Sequence, residues 1–321
     1  MSEHYIGIEI GGTKLQIVVG DDQCNIVKHY RIAVDKEKGA AGIQQEIETT
    51  CKNLPSEYNP RAIGVGFGGP VDYETGKIAV SHQISGWSGF QLVSWLESMK
   101  GLPVQVDNDA NTAALGEAIK GAGKGFRYVF YVTLGSGVGG GFVADGKIYH
   151  GMKPGEAEIG LMMFDKSGAN LESHCSGWAV DAKIRQHITK NPDTILAKLV
   201  GKENKAQARF LVPAITQGDA GAAKILEETA DDLAFGLSHV VHLFNPGIIV
   251  LGGGLSLIGE PLRAAVSSSI QKYITKAYRP GPEIKIAGLG EDVVCIGALL
   301  LARNAGKNGK GGPETGEENK L

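Results

Sequence analysis

The hydrophobic pattern of the chain consists of short apolar runs that end in turns rich in glycine. An apolar run over residues 5–10 is followed by Gly11-Gly12-Thr13 and a second apolar run to residue 20, which predicts a β-hairpin. Residues 128–133 and 142–146 flank the glycine-rich turn 134–141 in the same manner. Both halves of the chain therefore open with strand, glycine turn and strand, which predicts an α/β fold with an internally duplicated core.

Longer periodic segments complete the predicted architecture. Helical spacing predicts helices over 41–53, 90–99, much of 180–243 and 293–303, and further strands are predicted over 62–67 and 248–251. We expect an N-terminal α/β domain over residues 1–118, joined by a C-terminal helix at 292–305, and a larger α/β domain over 119–291. Residues 306–321 contain almost no apolar side chains and are predicted to form a disordered tail.

Polar residues follow a strand at residues 104–118. Apolar Val104 and Val106 predict the end of a strand, and a run rich in Ala, Leu and Glu from Ala110 predicts a helix, with Asn108 or Asp109 as its N-cap. Ligands of open α/β sheets bind at the carboxyl ends of the strands, so the pair is also a candidate site. On this segment alone, helix capping is the favoured interpretation.

Composition narrows the classes of partner and location. The net charge of −3 and the 21% charged residues give no electrostatic reason to expect nucleic acid or an anionic membrane surface as a partner. No run reaches the roughly 18 apolar residues of a membrane helix and no signal peptide precedes the first strand, so a cytoplasmic location is expected. The four cysteines are widely spaced and predict neither a disulfide framework nor a zinc cluster.

The glycine turns carry candidate phosphate chemistry. The backbone amides of the first turn and the Thr13 hydroxyl can bind phosphate oxygens, and Glu9 can hold a hydrated divalent cation, although a hairpin without a ligand is an equally good interpretation. The turn lacks the spacing of a Walker A loop and a strand follows it. Gly135-x-Gly137-x-x-Gly140 formally matches a dinucleotide fingerprint, but the apolar pattern continues as strand, so we reject that interpretation.

Three further features lie in the second half. Glu158 and Glu172 lie near glycines and can accept hydrogen bonds from sugar hydroxyls, although solvated surface acids are the more common case. The strand over 248–251 runs into Gly252-Gly253-Gly254, a plausible nucleoside platform. His174 beside Cys175 lacks further cysteine ligands and is interpreted as structural.

Together these motifs resemble the ROK family of sugar kinases and sugar-responsive repressors, part of the actin, Hsp70 and hexokinase superfamily. The resemblance extends to about residue 303. It rests on Ile-Glu-Ile-Gly-Gly-Thr-Lys (8–14), Gly-Gly-Pro-Val-Asp (68–72), Asp-Asn-Asp-Ala-Asn-Thr-Ala-Ala-Leu-Gly-Glu (107–117), Leu-Gly-Ser-Gly-Val-Gly-Gly-Gly (134–141), Glu-Ile-Gly (158–160), Leu-Glu-Ser-x-x-Ser-Gly (171–177) and Asn-Pro-x-x-Ile-Val-Leu-Gly-Gly-Gly (245–254).

The resemblance implies a two-domain actin/hexokinase-like (ribonuclease H-like) fold and an ATP- and Mg²⁺-dependent kinase for a hexose or N-acetylhexosamine, acting at the 6-hydroxyl. It implies that Asp109 is the catalytic base. The implied sugar-binding residues are Gly69, Asn108, Asp109, Glu158 and Glu172. The implied ATP-binding residues are Glu9, Gly11, Gly12, Thr13, Lys14, Thr133, Gly135, Ser136, Gly137, Gly252, Gly253 and Gly254, with Glu9 holding Mg²⁺ through water. Family members are often dimers, so a homodimer is expected.

This sequence departs from the family pattern at three places. Glu9 stands where the family usually has Asp, Leu161 replaces a sugar-contacting histidine, and the cysteine cluster of the zinc-bearing members is missing, so no structural zinc is expected. Glu9 and Leu161 leave open a sugar-binding protein without kinase activity. A sugar-responsive regulator is disfavoured, because no helix-turn-helix domain precedes the first strand.

Overall fold

The structure is a computed structural model that describes residues 3–81, 84–153, 155 and 157–308. Its strands are β1 (His4–Ile10), β2 (Lys14–Gly20), β3 (Ile26–Ala33), β4 (Pro60–Phe67), β5 (Val71–Asp72), β6 (Lys77–Ile78), β7 (Val104–Asn108), β8 (Tyr128–Leu134), β9 (Val138–Ala144), β10 (Lys147–Ile148), β11 (Ile248–Gly252) and β12 (Glu283–Ile286). Its helices are α1 (Gly39–Lys52), α2 (Leu92–Lys100), α3 (Asp109–Lys120), α4 (Leu171–Cys175), α5 (Gly177–Lys190), α6 (Ile195–Val200), α7 (Leu211–Thr216), α8 (Ala220–Phe244), α9 (Glu260–Ser269) and α10 (Val293–Asn308).

The chain forms two compact units. Unit 1 comprises Met1–Gly116, Met152–Gly155 and Glu291–Leu321, and unit 2 comprises Glu117–Gly151 and Glu156–Gly290. Helix α3 therefore begins in unit 1 and ends in unit 2.

Unit 1 is built on a five-stranded sheet in the order β3-β2-β1-β4-β7. Strands β1, β2 and β3 pair antiparallel, while β4 pairs parallel with both β1 and β7. Side chains alternate between the two faces of a strand, and Ile6, Ile8 and Ile10 of β1 join the hydrophobic core with residues of α1 and α2. Glycine occupies the opposite face, where a Cβ on Gly64 would overlap the backbone of Ala298 in α10. The helix can approach the sheet closely only because that side chain is missing.

Unit 2 has a second five-stranded sheet, in the order β10-β9-β8-β11-β12. Strands β8 and β9 form the antiparallel hairpin, and β11 pairs parallel with β8 and β12. The long helix α8 provides twelve buried residues and begins at the N-cap Asp219. Each unit thus contains a hairpin followed by two parallel strands, which confirms the predicted α/β fold with a duplicated core.

The structure also corrects the sequence-based elements. Strands β3 and β12 were not predicted, because β3 carries mainly part-exposed and polar side chains and β12 has only four residues. Helix α10 continues to Asn308, three residues into the segment predicted to be a tail, and a Cβ on Gly306 would lie 3.2 Å from the Tyr5 ring. The rest of that predicted tail, residues 309–321, lies outside the described residues.

Candidate active site

The first glycine turn connects β1 to β2 in unit 1. Gly11 N donates to Lys14 O at 3.0 Å, which closes the turn, and Thr13 is exposed. Gly68, directly after β4, donates its N–H to Ile10 O at 2.9 Å. The end of β4 is therefore fixed against the predicted phosphate turn.

Asn108 and Asp109 lie where β7 gives way to α3. Asn108 Oδ1 accepts from Ala110 N at 2.8 Å, so Asn108 caps the helix as the sequence predicted. Its Nδ2 donates to Gly69 O at 3.2 Å. Two residues that the sequence assigns to the sugar, Asn108 and Gly69, are thereby brought together.

The Asp109 carboxylate is half-buried at the N-terminus of α3. Its Oδ1 accepts from Ala110 N at 2.9 Å, and this helix position favours the anionic form. A Cβ on Gly68 would lie 3.5 Å from Asp109 Oδ2 and 3.6 Å from Gly11 Cα. The predicted base and the predicted phosphate turn are therefore neighbours within unit 1.

Glu9 lies at the end of β1, with its side chain 14% exposed. Burial raises the pKa of the Glu9 carboxyl, whereas hydrogen bonding to Gln16 and the Lys14 ammonium act in the opposite direction. Lys14 Nζ is 3.6 Å from Glu9 Oε1. Both carboxylate oxygens of Glu9, the residue predicted to hold Mg²⁺, therefore have a partner: Gln16 at Oε2 and Lys14 at Oε1.

The second glycine turn connects β8 to β9 in unit 2. Gly135 N donates to Gly137 O at 2.9 Å, and Gly177 N, at the start of α5, donates to Gly135 O at 2.7 Å. Thr133 pairs in register with Gly139 on one side and Gly252 on the other. The turn is thus attached to the N-terminus of a fourteen-residue helix, a position that favours anions.

A cavity of about 690 Å³ opens beside this turn, within unit 2. Its lining brings together Gly135 and Ser136 with Gly254, three residues that the sequence assigned to ATP. Gly252 and Gly253 are not among the lining residues and lie against β8. A Cβ on Gly252 would overlap the Tyr131 ring, and one on Gly253 would lie 2.6 Å from Leu134 N. These two glycines allow the chain after β11 to pack closely on β8.

Several cavity residues were missed by sequence reasoning. Trp178 is 71% exposed and Leu257 is 86% exposed, yet both line the cavity, together with Lys205, Arg209 and Val212. They come from separate elements, so no spacing along the chain marks them as a group. A tryptophan directly after the Ser-Gly pair 176–177 was the one available signal.

Of the two predicted sugar-binding acids, Glu172 is bonded to the start of β9, and Glu158 precedes a short helix that packs there. Glu172 Oε2 accepts from Val138 N at 2.8 Å. Glu158 is exposed and precedes a short 3₁₀ helix over Ile159–Leu161, in which Gly160 lies directly against the Val138 carbonyl. Leu161, which stands where the family has histidine, is 59% exposed.

Hydrogen bonds and a ring contact hold the residues around Glu172. Asn170 and Ser173 form a capping box at α4, and Met163 makes an isolated β-bridge with Asn170. His174 Nδ1 lies 3.1 Å from Asp232 Oδ2, and its ring packs against Phe164. Within the described part of the chain, no group of three His, Cys, Asp or Glu side chains has the arrangement of a metal site.

Comparisons with known proteins show the family of this chain. The model of the ROK family matches residues 5–305, and the chain belongs to the ROK family. A glucokinase of Halalkalibacterium halodurans is 33% identical over 97% of this chain and 98% of its own length. A glucokinase of Thermotoga maritima is 30% identical over 93% of this chain and 96% of its own length.

Solved structures support the same assignment. A ROK family glucokinase from Streptomyces griseus, in complex with glucose and AMPPNP, superposes with a TM-score of 0.80 and is 30% identical, covering 94% of this chain and 99% of that one. A ROK hexokinase from Thermus thermophilus gives a TM-score of 0.79 at 27% identity, covering 95% and 99%. The predicted actin/hexokinase-like fold and the predicted class, an ATP-dependent sugar kinase, are confirmed. Of the helices that the structure describes, none is long and apolar enough to cross a membrane.

Proposed function

We propose that this kinase transfers the γ-phosphoryl group of ATP to the 6-hydroxyl of a hexose, with glucose the first candidate and N-acetylhexosamines the second. The glucokinases at 30–33% identity and the glucose-bound neighbour support glucose. The chain covers 98%, 96% and 99% of the lengths of these three proteins.

The position of Asp109 carries this proposal. Its carboxylate lies next to the first glycine turn and follows Asn108, whose amide is joined to Gly69. Phosphoryl transfer depends mainly on positioning and electrostatic stabilisation, so the base has only to orient the sugar hydroxyl and accept its proton as the bond to phosphorus forms. An aspartate fixed at a helix N-terminus fulfils this requirement.

The remaining predicted residues are assigned to the two substrates. The phosphates would be contacted by the residues in or beside the glycine turns, which are Gly11, Gly12, Thr13, Lys14, Thr133, Gly135, Ser136 and Gly137. The nucleoside would bind in the cavity beside Gly254. Glu158 and Glu172 would accept from sugar hydroxyls. Mg²⁺ fits beside Glu9, since this partly exposed carboxylate can hold a hydrated cation, and the ion would neutralise charge on the phosphates.

The test is sugar-dependent ADP release with Mg-ATP and a panel of glucose, mannose, fructose, N-acetylglucosamine and N-acetylmannosamine, for the wild type and Asp109→Asn. We expect activity on at least one sugar, and kcat lower by about 10²–10⁴-fold in the variant. The Asn side chain still accepts from Ala110 N, so the thermal midpoint should fall by no more than about 4 °C. No sugar-dependent release with any member of the panel would refute the hexose kinase proposal, and full activity of the variant would refute the role of Asp109.

The expected homodimer and the cytoplasmic location stay predictions. Sedimentation of the purified chain tests the former.

A further inference from the structure

Three polar side chains form a row across the first sheet. Glu9 of β1 pairs in register with Gln16 of β2, and Gln16 pairs with Arg31 of β3. Residues that pair in register have side chains on the same face of a sheet. Cys295 of α10 also approaches this row, with Sγ 3.9 Å from Glu9 Oε2.

Gln16 is the centre of the row and is completely buried. Its Nε2 donates to Glu9 Oε2 and to Glu291 O, the latter at 3.2 Å. Its Oε1 accepts from Arg31 Nε at 3.2 Å and lies 2.9 Å from His29 Nε2. The buried amide is therefore satisfied on both sides.

The arginine fixes the direction of this amide. Arg31 Nε can only donate, so the atom of Gln16 facing it must be the carbonyl oxygen, and the NH₂ group must face Glu9. Arg31 is itself held by Asp292, whose Oδ1 is 3.2 Å from the guanidinium and 3.7 Å from His29 Nδ1. A reversed amide would place two donors against each other.

Glu9 needs such a support because its side chain has one more rotatable bond than aspartate. Its Oε2 is fixed by Gln16, and Lys14 Nζ lies 3.6 Å from its Oε1. We propose that Gln16 is a positioning residue, which fixes the Glu9 carboxylate so that Glu9 can hold the hydrated Mg²⁺ of the nucleotide. This inference rests on the proposed function, and specifically on the role of Glu9.

Calorimetric titration with ADP, in Mg²⁺ and in EDTA, tests the inference without using turnover. The variants are Gln16→Leu, which removes all four hydrogen bonds, Glu9→Gln, and the double variant. Thr229→Val is the matched control, because it also removes a buried side-chain hydrogen bond, the one from Thr229 Oγ1 to Ile225 O, with little change of volume. Thr229 lies in α8 of unit 2, outside the row of polar side chains. If Gln16→Leu does not fold, Gln16→Asn takes its place, since its shorter side chain cannot reach Glu9.

We expect Mg²⁺ to tighten ADP binding by the wild type and by Thr229→Val. Gln16→Leu should lose about 10-fold or more of this magnesium-dependent gain and bind ADP in EDTA like the wild type. Glu9→Gln should lose the same gain, and the double variant should lose no more than Glu9→Gln alone.

Four results would overturn the inference. Two concern Gln16→Leu: it keeps the full tightening of ADP binding by Mg²⁺, or it loses as much ADP affinity in EDTA as it does in Mg²⁺. The other two are a full tightening by Mg²⁺ in Glu9→Gln and no tightening by Mg²⁺ in the wild type. The sugar panel distinguishes failure of this inference from failure of the proposed function. If the wild type phosphorylates a sugar and Gln16→Leu keeps the full tightening of ADP binding by Mg²⁺, only the role of Gln16 is refuted.

Discussion

Gly137 provides a sensitive test of how the second glycine turn is held. The Glu172 carboxylate accepts from Val138 N at 2.8 Å, directly beside the position that a side chain at residue 137 would take. A Cβ on Gly137 would overlap Glu172 Oε2. Because this atom is the far end of a flexible side chain, we expect Gly137→Ala to displace the carboxylate and leave the turn in place.

The expected loss follows from that one contact. A hydrogen bond to a charged group contributes about 1.5–3 kcal/mol, so Gly137→Ala should lower the thermal midpoint by roughly 3–12 °C. If Glu172 also binds the sugar, KM for the sugar should rise about tenfold or more, since each 1.4 kcal/mol is about a factor of ten.

A double-mutant cycle with Glu172→Ala checks the reasoning. Once the Glu172 side chain is removed, the new methyl group no longer meets it, so Gly137→Ala should add little to the loss already caused by Glu172→Ala. Scanning calorimetry gives the midpoints, and steady-state kinetics gives KM. Additive effects of the two substitutions would show that Gly137→Ala acts through the turn itself, and would refute this explanation.

Two further predictions concern stability. Asp219 Oδ1 accepts from Ala222 N at 2.9 Å and its Oδ2 accepts from Leu196 N at 2.7 Å, and the side chain is 6% exposed. Asp219→Ala leaves both buried N–H groups without this acceptor and should lower the free energy of unfolding in urea by about 2–4 kcal/mol, whereas a loss below about 0.5 kcal/mol would contradict this. Burial raises the pKa of the Cys51 thiol from 9.0 to about 11, so the thiol ionises more readily in the unfolded state than in the folded state. The contribution of Cys51 to stability is therefore fully present below pH 9 and is lost as the pH rises towards 11. The stability difference between wild type and Cys51→Ala should therefore shrink by about 2–3 kcal/mol over that interval, and a difference independent of pH would refute the assignment.

Periodicity was sufficient to predict the elements whose burial is one-sided and strong. Ile6, Ile8 and Ile10 alternate in the sequence because one face of β1 belongs to the core, and this pattern is visible without a structure. Strand β3 lies at the edge of the sheet, and its sequence, which includes Lys28, His29 and Arg31, shows no comparable alternation. Edge strands often carry such residues, so this pattern does not distinguish them from loops.

The site could be predicted only as far as it lies in continuous motifs. Asn108 and Asp109 follow one another at a strand end, so their position was readable from the chain. The row from Glu9 through Gln16 to Arg31 depends on the register of three strands, which no single segment shows. The adenosine role predicted for Gly252 and Gly253 stays a prediction, because spacing does not tell a glycine that faces a ligand from one that lies against a neighbouring strand.

The duplicated topology provides two equivalent strand ends, and the predicted base lies at the one in unit 1. In each unit the hairpin is followed by two parallel strands, and the second of these is β7 in unit 1 and β12 in unit 2. Strand β7 pairs parallel with β4, and β12 pairs parallel with β11. Strand β7 ends at Asn108 and is followed directly by Asp109. After β12 the chain continues through Gly288 and Leu289, whose N–H groups donate to the buried Glu117 at 3.1 and 2.9 Å. The backbone offers two equivalent positions at a strand end, but in unit 2 that position is occupied by structural hydrogen bonds. The topology alone therefore does not distinguish the two strand ends, and the residues that follow each strand decide which end can carry the proposed base.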